Sequence, residues 1–84
     1  MYYVYLIKSK QDSNLYIGST NDLKRRLREH NEGKVFSTKS RIPFEIIYYE
    51  AYKNEKDARI RESMLKLRGN ARAKLIERIS RSLK

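Results

Sequence analysis

The chain has 84 residues, so one domain spanning residues 1–84 is expected, near the lower limit for a core that is stable without help. Lys and Arg number 20 against 10 Asp and Glu, and the net charge of +10 indicates a polyanionic partner, nucleic acid before a membrane surface. The lack of Cys excludes disulfides and thiolate zinc sites. With neither a signal-peptide pattern nor an apolar run near the roughly 20 residues of a membrane span, we expect a cytoplasmic protein.

The first two predicted elements are the strands of a hairpin. The run YYVYLI at residues 2–7 is rich in β-branched and aromatic side chains, and both of its alternating sets are apolar, which is typical of a strand covered on both faces. The polar stretch 9–14 predicts a loop, and LYIG at residues 15–18 predicts the returning strand. Tyr5 and Tyr16 can share one side of this hairpin, where the alternative is that both only pack beneath a helix.

A basic helix follows the hairpin. The segment STND at residues 19–22 predicts its start, with Thr20 or Asn21 as the N-cap, and Gly33 predicts its left-handed end. Gly18, at the end of the predicted strand, marks either a bend or a close approach to the backbone, and it is expected to leave room for the backbone to turn into the helix.

The faces of this helix separate two groups of charged residues. Leu23 and Leu27 form the buried stripe, and Arg26 and His30 border it. The default interpretation of Arg26 is a solvated charge, and that of His30 is a contact with the helix dipole. Three further basic residues face more toward water: Lys24, Arg25 and Arg28.

The rest of the chain predicts a basic loop at residues 35–43, a third strand at residues 44–52, a helix from Asn54 to Gly69 and a last helix from about Asn70. The element order is therefore β-β-α-β-α-α. That order predicts an α+β fold with a small, mainly antiparallel three-stranded sheet flanked by helices.

Glu62 is the least expected residue of the second long helix. It shares an inward face with Ala58 and Leu65, although Glu is seldom buried without a partner or a metal. The alternative is a salt bridge to Arg26 or another Arg. No second carboxylate lies beside Glu62 on that face, which argues against a two-metal site and against paired acid and base carboxylates. The opposite side of the helix is also apolar, with Ile60, Met64 and Leu67.

Two tyrosine motifs and three later residues resemble a known pattern. Tyr3-Val4-Tyr5, ten intervening residues and Tyr16-Ile17-Gly18 resemble the two-part signature of the GIY-YIG nuclease superfamily. Arg26, His30 and Glu62 then follow in the order typical of that superfamily. The likeness covers nearly the whole chain and is closest to the small stand-alone bacterial proteins made of this domain alone.

The resemblance implies a metal-dependent endonuclease that hydrolyses phosphodiester bonds in DNA. Glu62 would bind one divalent ion, Mg²⁺ with Mn²⁺ as the alternative, and Arg26 would hold the phosphate with its planar fork. Tyr5 or Tyr16 would take the proton from water, and His30 would orient or deprotonate that phenol.

The basic surface is expected to contact DNA through six residues: Lys24, Arg25, Arg28, Lys34, Lys39 and Arg41. Two alternatives remain open at this point. One is a non-catalytic nucleic-acid-binding module, and the other is a domain that needs a partner protein for targeting.

Overall fold

The computed structural model describes residues 1–84. Its elements are β1 (Tyr2–Ser9), β2 (Leu15–Thr20), α1 (Leu23–Asn31), a short 3₁₀ helix (Lys39–Arg41), β3 (Phe44–Tyr52), α2 (Glu55–Leu67) and α3 (Gly69–Arg78). The three strands form one antiparallel sheet in the order β2-β1-β3. The predicted α+β class and element order are confirmed. None of the helices is long and apolar enough to cross a membrane.

The central strand β1 is buried on both faces, as its two apolar sets predict. Val4 and Leu6 pack into a core beneath α2 and α3, together with Ile17, Ala58, Leu65, Leu75 and Ile79. Tyr5 and Ile7 point to the opposite face and pack with Phe44, and the leucines of α1 and Tyr16 of β2 lie against this second cluster. The sheet is therefore a middle layer, with α1 on one side and α2 and α3 on the other.

The ends of α1 follow from local hydrogen bonds. Its N-cap is Asp22, whose carboxylate accepts the backbone N–H of Arg25 at 3.0 Å, so the predicted caps Thr20 and Asn21 are wrong. Thr20 instead accepts the backbone N–H of Asp22 at 3.1 Å and shapes the turn before the helix. A charged acceptor at Asp22 also complements the positive end of the helix. Gly33 has φ +75° and ends the helical segment as predicted.

Helix α2 covers the sheet with only one of its two apolar faces. It begins after Asn54, whose side chain accepts the backbone N–H of Lys56 at 2.8 Å, and it ends at Leu67 rather than at Gly69. Ala58 and Leu65 are buried against β1 and β2. The other apolar face is exposed, with Ile60, Met64 and Leu67. No element packs over that side, because α3 follows α2 after a short connection and returns to the inner core through Leu75 and Ile79.

Gly18 lies inside β2, directly opposite Tyr5 in the strand register. A Cβ atom on Gly18 would lie 2.4 Å from the Tyr5 hydroxyl oxygen and 2.5 Å from Cζ. The phenol ring therefore lies across the bare backbone of Gly18, and any larger residue would push it away. The expectation that Gly18 serves a backbone turn is wrong, since the glycine makes room for a side chain of the neighbouring strand.

Gly18→Ala is expected to destabilise the fold by about 1–3 kcal/mol, because the added methyl group overlaps the Tyr5 phenol in a packed interior. Gly69→Ala is the matched control: a Cβ there meets no atom within 4 Å, and the change should be neutral or stabilising by up to about 1 kcal/mol. Urea unfolding of both variants measures the difference. Equal effects at the two positions would contradict the packing of Tyr5 over Gly18.

Candidate functional site

A buried chain of hydrogen bonds crosses the α1 side of the sheet. His30 is fully buried, and its Nε2 lies 2.8 Å from the hydroxyl oxygen of Tyr5. Its Nδ1 lies 2.7 Å from Oγ1 of Thr38, which is also fully buried. The chain joins β1, the last turn of α1 and the loop after α1. Because both imidazole nitrogens have partners, the burial of this polar ring is compensated.

The imidazole of His30 is neutral at neutral pH. Burial, together with the smaller effect of the nearby charge of Arg26, lowers the pKa of His30 from 6.5 to about 4, and the charge of Glu29 opposes this shift. Thr38 Oγ1 lies 3.5 Å from the carbonyl oxygen of Val35, to which it donates. We therefore assign the proton of His30 to Nδ1, which donates to Thr38, while Nε2 accepts the hydroxyl proton of Tyr5.

The two motif tyrosines meet at this histidine. The Tyr16 ring centroid lies 5.2 Å from that of His30, and the Tyr5 ring centroid lies 5.8 Å away, both in edge-on contact. Tyr5 is buried, whereas Tyr16 is half-buried on the edge strand β2. Burial raises the pKa of Tyr5, the Arg26 guanidinium opposes this rise, and the charge of Glu62 adds to it. Both tyrosines face α1, which confirms the predicted side of the hairpin.

Arg26 lines a polar cleft of about 260 Å³ between the end of β2, the start of α1 and α2. Its Nη1 pairs with Oε1 of Glu29 at 3.2 Å, and its side chain is about one-third exposed. The cleft walls also carry polar and charged side chains, which include Ser19, Thr20, Asn21, Arg25, Arg59 and the acidic Glu55, whose Oε2 pairs with Arg59 at 3.2 Å. Three guanidinium groups therefore border one small opening, an arrangement suited to an anionic oxygen cluster such as phosphate.

Glu62 reaches the same strand edge from the other face of the sheet. Its Oε1 accepts the hydroxyl of Ser19 at 2.7 Å, and its Oε2 pairs with Nζ of Lys66 at 2.9 Å. The predicted alternative of a salt bridge to Arg26 or another Arg is wrong, because the partner is a lysine on the next turn of α2. The carboxylate side chain retains 20% exposure. Burial raises the pKa of Glu62, but the bonds from Ser19 and Lys66 outweigh it and bring the pKa below its ordinary value.

A second inward carboxylate, Glu50, shows a different environment. It accepts hydrogen bonds from the hydroxyls of Tyr48 and Tyr52. Nε and Nη2 of Arg61 donate to the same carboxylate at 3.0 and 3.1 Å. Burial and the neighbouring carboxylate raise the pKa values of both tyrosines to about 12. Both oxygens of Glu50 are thus occupied by hydrogen-bond donors, and its pair with Arg61 links β3 to α2.

The five predicted catalytic residues thus occupy one region around β2. Tyr5, Tyr16 and His30 are in direct contact, Arg26 acts on the pKa of Tyr5, and Glu62 lies beneath Ser19 of β2. Edge strand β2 brings the groups from the two faces together, because no further strand separates them.

Several residues at this site were not predicted from the sequence. Lys66 is four residues after Glu62, and helical spacing alone would have indicated their pairing. Ser19 is found from the strand register, which places it opposite Val4 on the α2 side. Thr38 carries no sequence signal, since its contact with His30 depends on the path of a loop.

The six predicted DNA-contacting residues differ in their surroundings. Lys24, Arg28, Lys34 and Lys39 are exposed, and Arg25 lies on the wall of the cleft. Arg41 is more enclosed: its Nε pairs with Asp12 at 2.8 Å, and its guanidinium lies over the ring of Phe44.

The oxygen ligands at Glu62 suit a divalent ion that prefers oxygen. No group of three or more His, Cys, Asp or Glu side chains is assembled anywhere in the chain, so a closed site of several protein ligands is not formed. A lone, partly exposed carboxylate beside the hydroxyl of Ser19 suits Mg²⁺, which keeps several waters and needs only one or two carboxylates. Mn²⁺ accepts the same oxygen ligands.

Comparisons with known proteins identify the family of this chain. A family model described as the GIY-YIG catalytic domain matches residues 1–75. The UPF0213 protein CPE1444 of Clostridium perfringens is 40% identical over 86 aligned positions, which cover 100% of this chain and 89% of that protein. The chain belongs to the GIY-YIG family. This is a family of nucleases that act on DNA and generally depend on a divalent metal.

Other relatives share the fold and the small size. The UPF0213 protein SAG0778 of Streptococcus agalactiae is 38% identical over 65 positions, covering 76% of this chain and 73% of that protein. The solution NMR structure of the UPF0213 protein BH0048 from Bacillus halodurans superposes with a TM-score of 0.56 at 31% identity. That match covers 92% of this chain and 84% of the NMR structure. The GIY-YIG fold is thus shared with a solved single-domain relative.

The neutral imidazole of His30 predicts a fold that weakens in mild acid. Between pH 6.5 and about 4 the unfolded chain binds a proton that the folded chain does not. The contribution of His30 is therefore complete above pH 6.5 and falls as the pH drops toward 4, by up to about 3 kcal/mol. Since His30 is the only histidine, a proton NMR titration follows its ring without ambiguity. A midpoint near 6.5 in the folded protein would contradict the buried neutral ring.

Proposed function

We propose that the chain is a metal-dependent endonuclease that hydrolyses phosphodiester bonds in DNA. The observation that carries the proposal is the convergence of Tyr16, Arg26 and Glu62 at the outer edge of β2, beside a cationic cleft. Phosphodiester hydrolysis requires an activated water, relief of charge at the phosphate and support for the departing oxygen. The three side chains offer a base, a planar cation and a metal-binding oxygen in one place.

The two tyrosines have different roles in this proposal. Tyr16 is half-buried on an edge strand and can be reached by water, so it would act as the general base toward the attacking water. Tyr5 is enclosed, its pKa is raised by burial, and its hydroxyl proton is directed at His30. Tyr5 and His30 therefore hold the site together and keep Tyr16 in position. A neutral His30 with a pKa of about 4 is too weak a base to deprotonate a phenol fully.

Arg26 would bind the scissile phosphate in the cleft. Its guanidinium carries five N–H donors in a fixed fork, of which one at Nη1 is engaged by Glu29, so a pair of parallel donors remains for the phosphate. Arg25 and Arg59 on the same walls would draw the DNA backbone toward the opening. The exposed cations Lys24, Arg28, Lys34 and Lys39, with Arg41, would hold flanking phosphates.

Glu62, with the neighbouring hydroxyl of Ser19, would hold the divalent ion. Such an ion supplies positive charge to the phosphate oxygens and favours ionisation of a bound water. The chain's own contribution is to keep the carboxylate ionised, since its pKa is lowered by Ser19 and Lys66 against the effect of burial.

A non-catalytic nucleic-acid-binding module is the second candidate. The observation in its favour is the ion pair between Glu62 and Lys66, which satisfies the carboxylate without a metal. The net charge of +10 supports binding equally in both cases. The two candidates differ in whether the protein breaks DNA strands at all, in a reaction that needs a divalent ion and Glu62.

Glu62→Gln tests the enzyme directly. The variant keeps the hydrogen bond to Ser19 but loses the charge that would hold the ion, so metal-dependent cleavage of a panel of branched and linear DNAs should fall at least about 100-fold. Stability should change by no more than about 1 kcal/mol, because the pair with Lys66 is partly exposed. Cleavage with Mg²⁺, Mn²⁺ or EDTA and thermal melting use the same preparations. A wild-type protein that cleaves no substrate would favour the binding module, whereas a variant that cleaves as well as the wild type would mean that Glu62 does not hold the metal.

Arg26→Lys tests the phosphate contact. Lys keeps the charge but not the two-pronged geometry, so cleavage should fall about 10-fold or more while the melting temperature stays close to that of the wild type. Arg28→Lys is the matched control, since Arg28 lies on the same helix, is exposed and does not line the cleft. Arg25 is less suitable as a control because it shares the cleft wall with Arg26. Equal losses at positions 26 and 28 would mean that Arg26 is an ordinary surface cation.

A further inference from the structure

Lys66 makes two contacts at the proposed active site. Its Nζ lies 2.9 Å from Oε2 of Glu62 and 5.7 Å from the ring centroid of Tyr16, in cation–π geometry. Lys66 and Tyr16 line a shallow hollow together with Arg72 of α3. One ammonium group thus connects the candidate metal ligand on α2 with the candidate base on β2.

The ion pair between Lys66 and Glu62 can be broken at little cost in free energy. It joins residues four apart on one helix, the lysine side chain is 43% exposed, and only one ammonium nitrogen contacts the carboxylate. Pairs of this kind contribute little to stability, because water competes for both charges and a long side chain must be ordered. The contrast with Glu50 is direct: that carboxylate is enclosed by a two-pronged arginine and two tyrosine hydroxyls, and leaves no oxygen for another cation.

We propose that Lys66 is a tethered counter-cation, which occupies the Glu62 carboxylate in the free protein and must withdraw when a divalent ion binds there. The inference rests on the proposed function, since it takes Glu62 as the metal ligand. Competition from Lys66 thereby sets the affinity of Glu62 for the ion. The contact between the Lys66 ammonium and the ring of Tyr16 keeps the ammonium close to Tyr16, the proposed general base.

The energetic consequence follows from competition for one carboxylate. An incoming ion must displace an ammonium group at 2.9 Å and then tolerate its positive charge nearby. Replacing Lys66 with an uncharged residue removes both penalties. From the modest strength of partly exposed ion pairs, the affinity for a divalent ion should rise about 3- to 10-fold.

The test is Mn²⁺ binding to the intact chain, measured without DNA by water-proton relaxation. Lys66→Met keeps the length of the side chain and removes its charge, and Mn²⁺ should bind about 3- to 10-fold more tightly than to the wild type. Lys56→Met is the matched control: it removes the same charge from the same helix at an exposed position without an ion pair. Its effect on Mn²⁺ affinity should be below about twofold, because distant surface charges are screened by salt. Adding Glu62→Gln to Lys66→Met should abolish the tighter binding.

Three outcomes would overturn the proposal. Equal tightening by Lys66→Met and Lys56→Met would mean that only the net charge matters. Weaker Mn²⁺ binding to a folded Lys66→Met variant, with unchanged melting, would mean that Lys66 supports Glu62 rather than competing for it. If Mn²⁺ affinity is the same in the wild type and in Lys66→Met, or is too low to measure in both, Lys66 does not compete with the ion for Glu62. Failure of the proposed function is seen separately, as a wild type that does not cleave DNA with any metal.

Discussion

The hydrogen bond between the Tyr5 hydroxyl and Nε2 of His30 is the constraint on which the site depends. Both groups are buried, and an unpaired phenol or imidazole in that position would cost free energy of the order of a lost hydrogen bond or more. The two atoms can approach each other because the Tyr5 ring lies across Gly18 and because Thr38 holds the other side of the imidazole. One polar chain thus sets the relation of β1, β2, α1 and the following loop.

The same chain determines where the accessible groups lie. With Tyr5 committed to His30, Tyr16 is the motif tyrosine that remains half-exposed, and its ring reaches the edge of the sheet. With His30 on the inner face of α1, Arg26, one turn earlier on the helix, is directed toward the cleft. Within the proposed function, the buried residues of the motif would act as positioning groups, and the groups that take part in the chemistry would be their accessible neighbours.

The sequence predicts the elements of this fold well because their signals are local. Strong apolar runs and helical periodicity need no knowledge of the tertiary structure, and the two apolar sets of β1 correctly predict that helices cover both faces. The predictions fail where a contact joins distant segments. Thr38 bonds His30 because of the path of a loop, and Gly18 is needed because of a ring from the neighbouring strand. The cap at Asp22 was missed because three neighbouring residues are all good caps, and only geometry selects among them.

The two inward carboxylates of this small fold are held in different ways. Glu50 and Glu62 both have lowered pKa values despite burial, so ionisation alone does not separate them. The difference is in the partners: the planar guanidinium of Arg61 donates two hydrogen bonds to Glu50, whereas the ammonium of Lys66, on a flexible side chain, pairs with Glu62. A protein with a net charge of +10 opposes the approach of a free divalent cation. Within the proposed function, DNA phosphate supplies the missing negative charge, and binding linkage then makes DNA and the ion favour one another at Glu62.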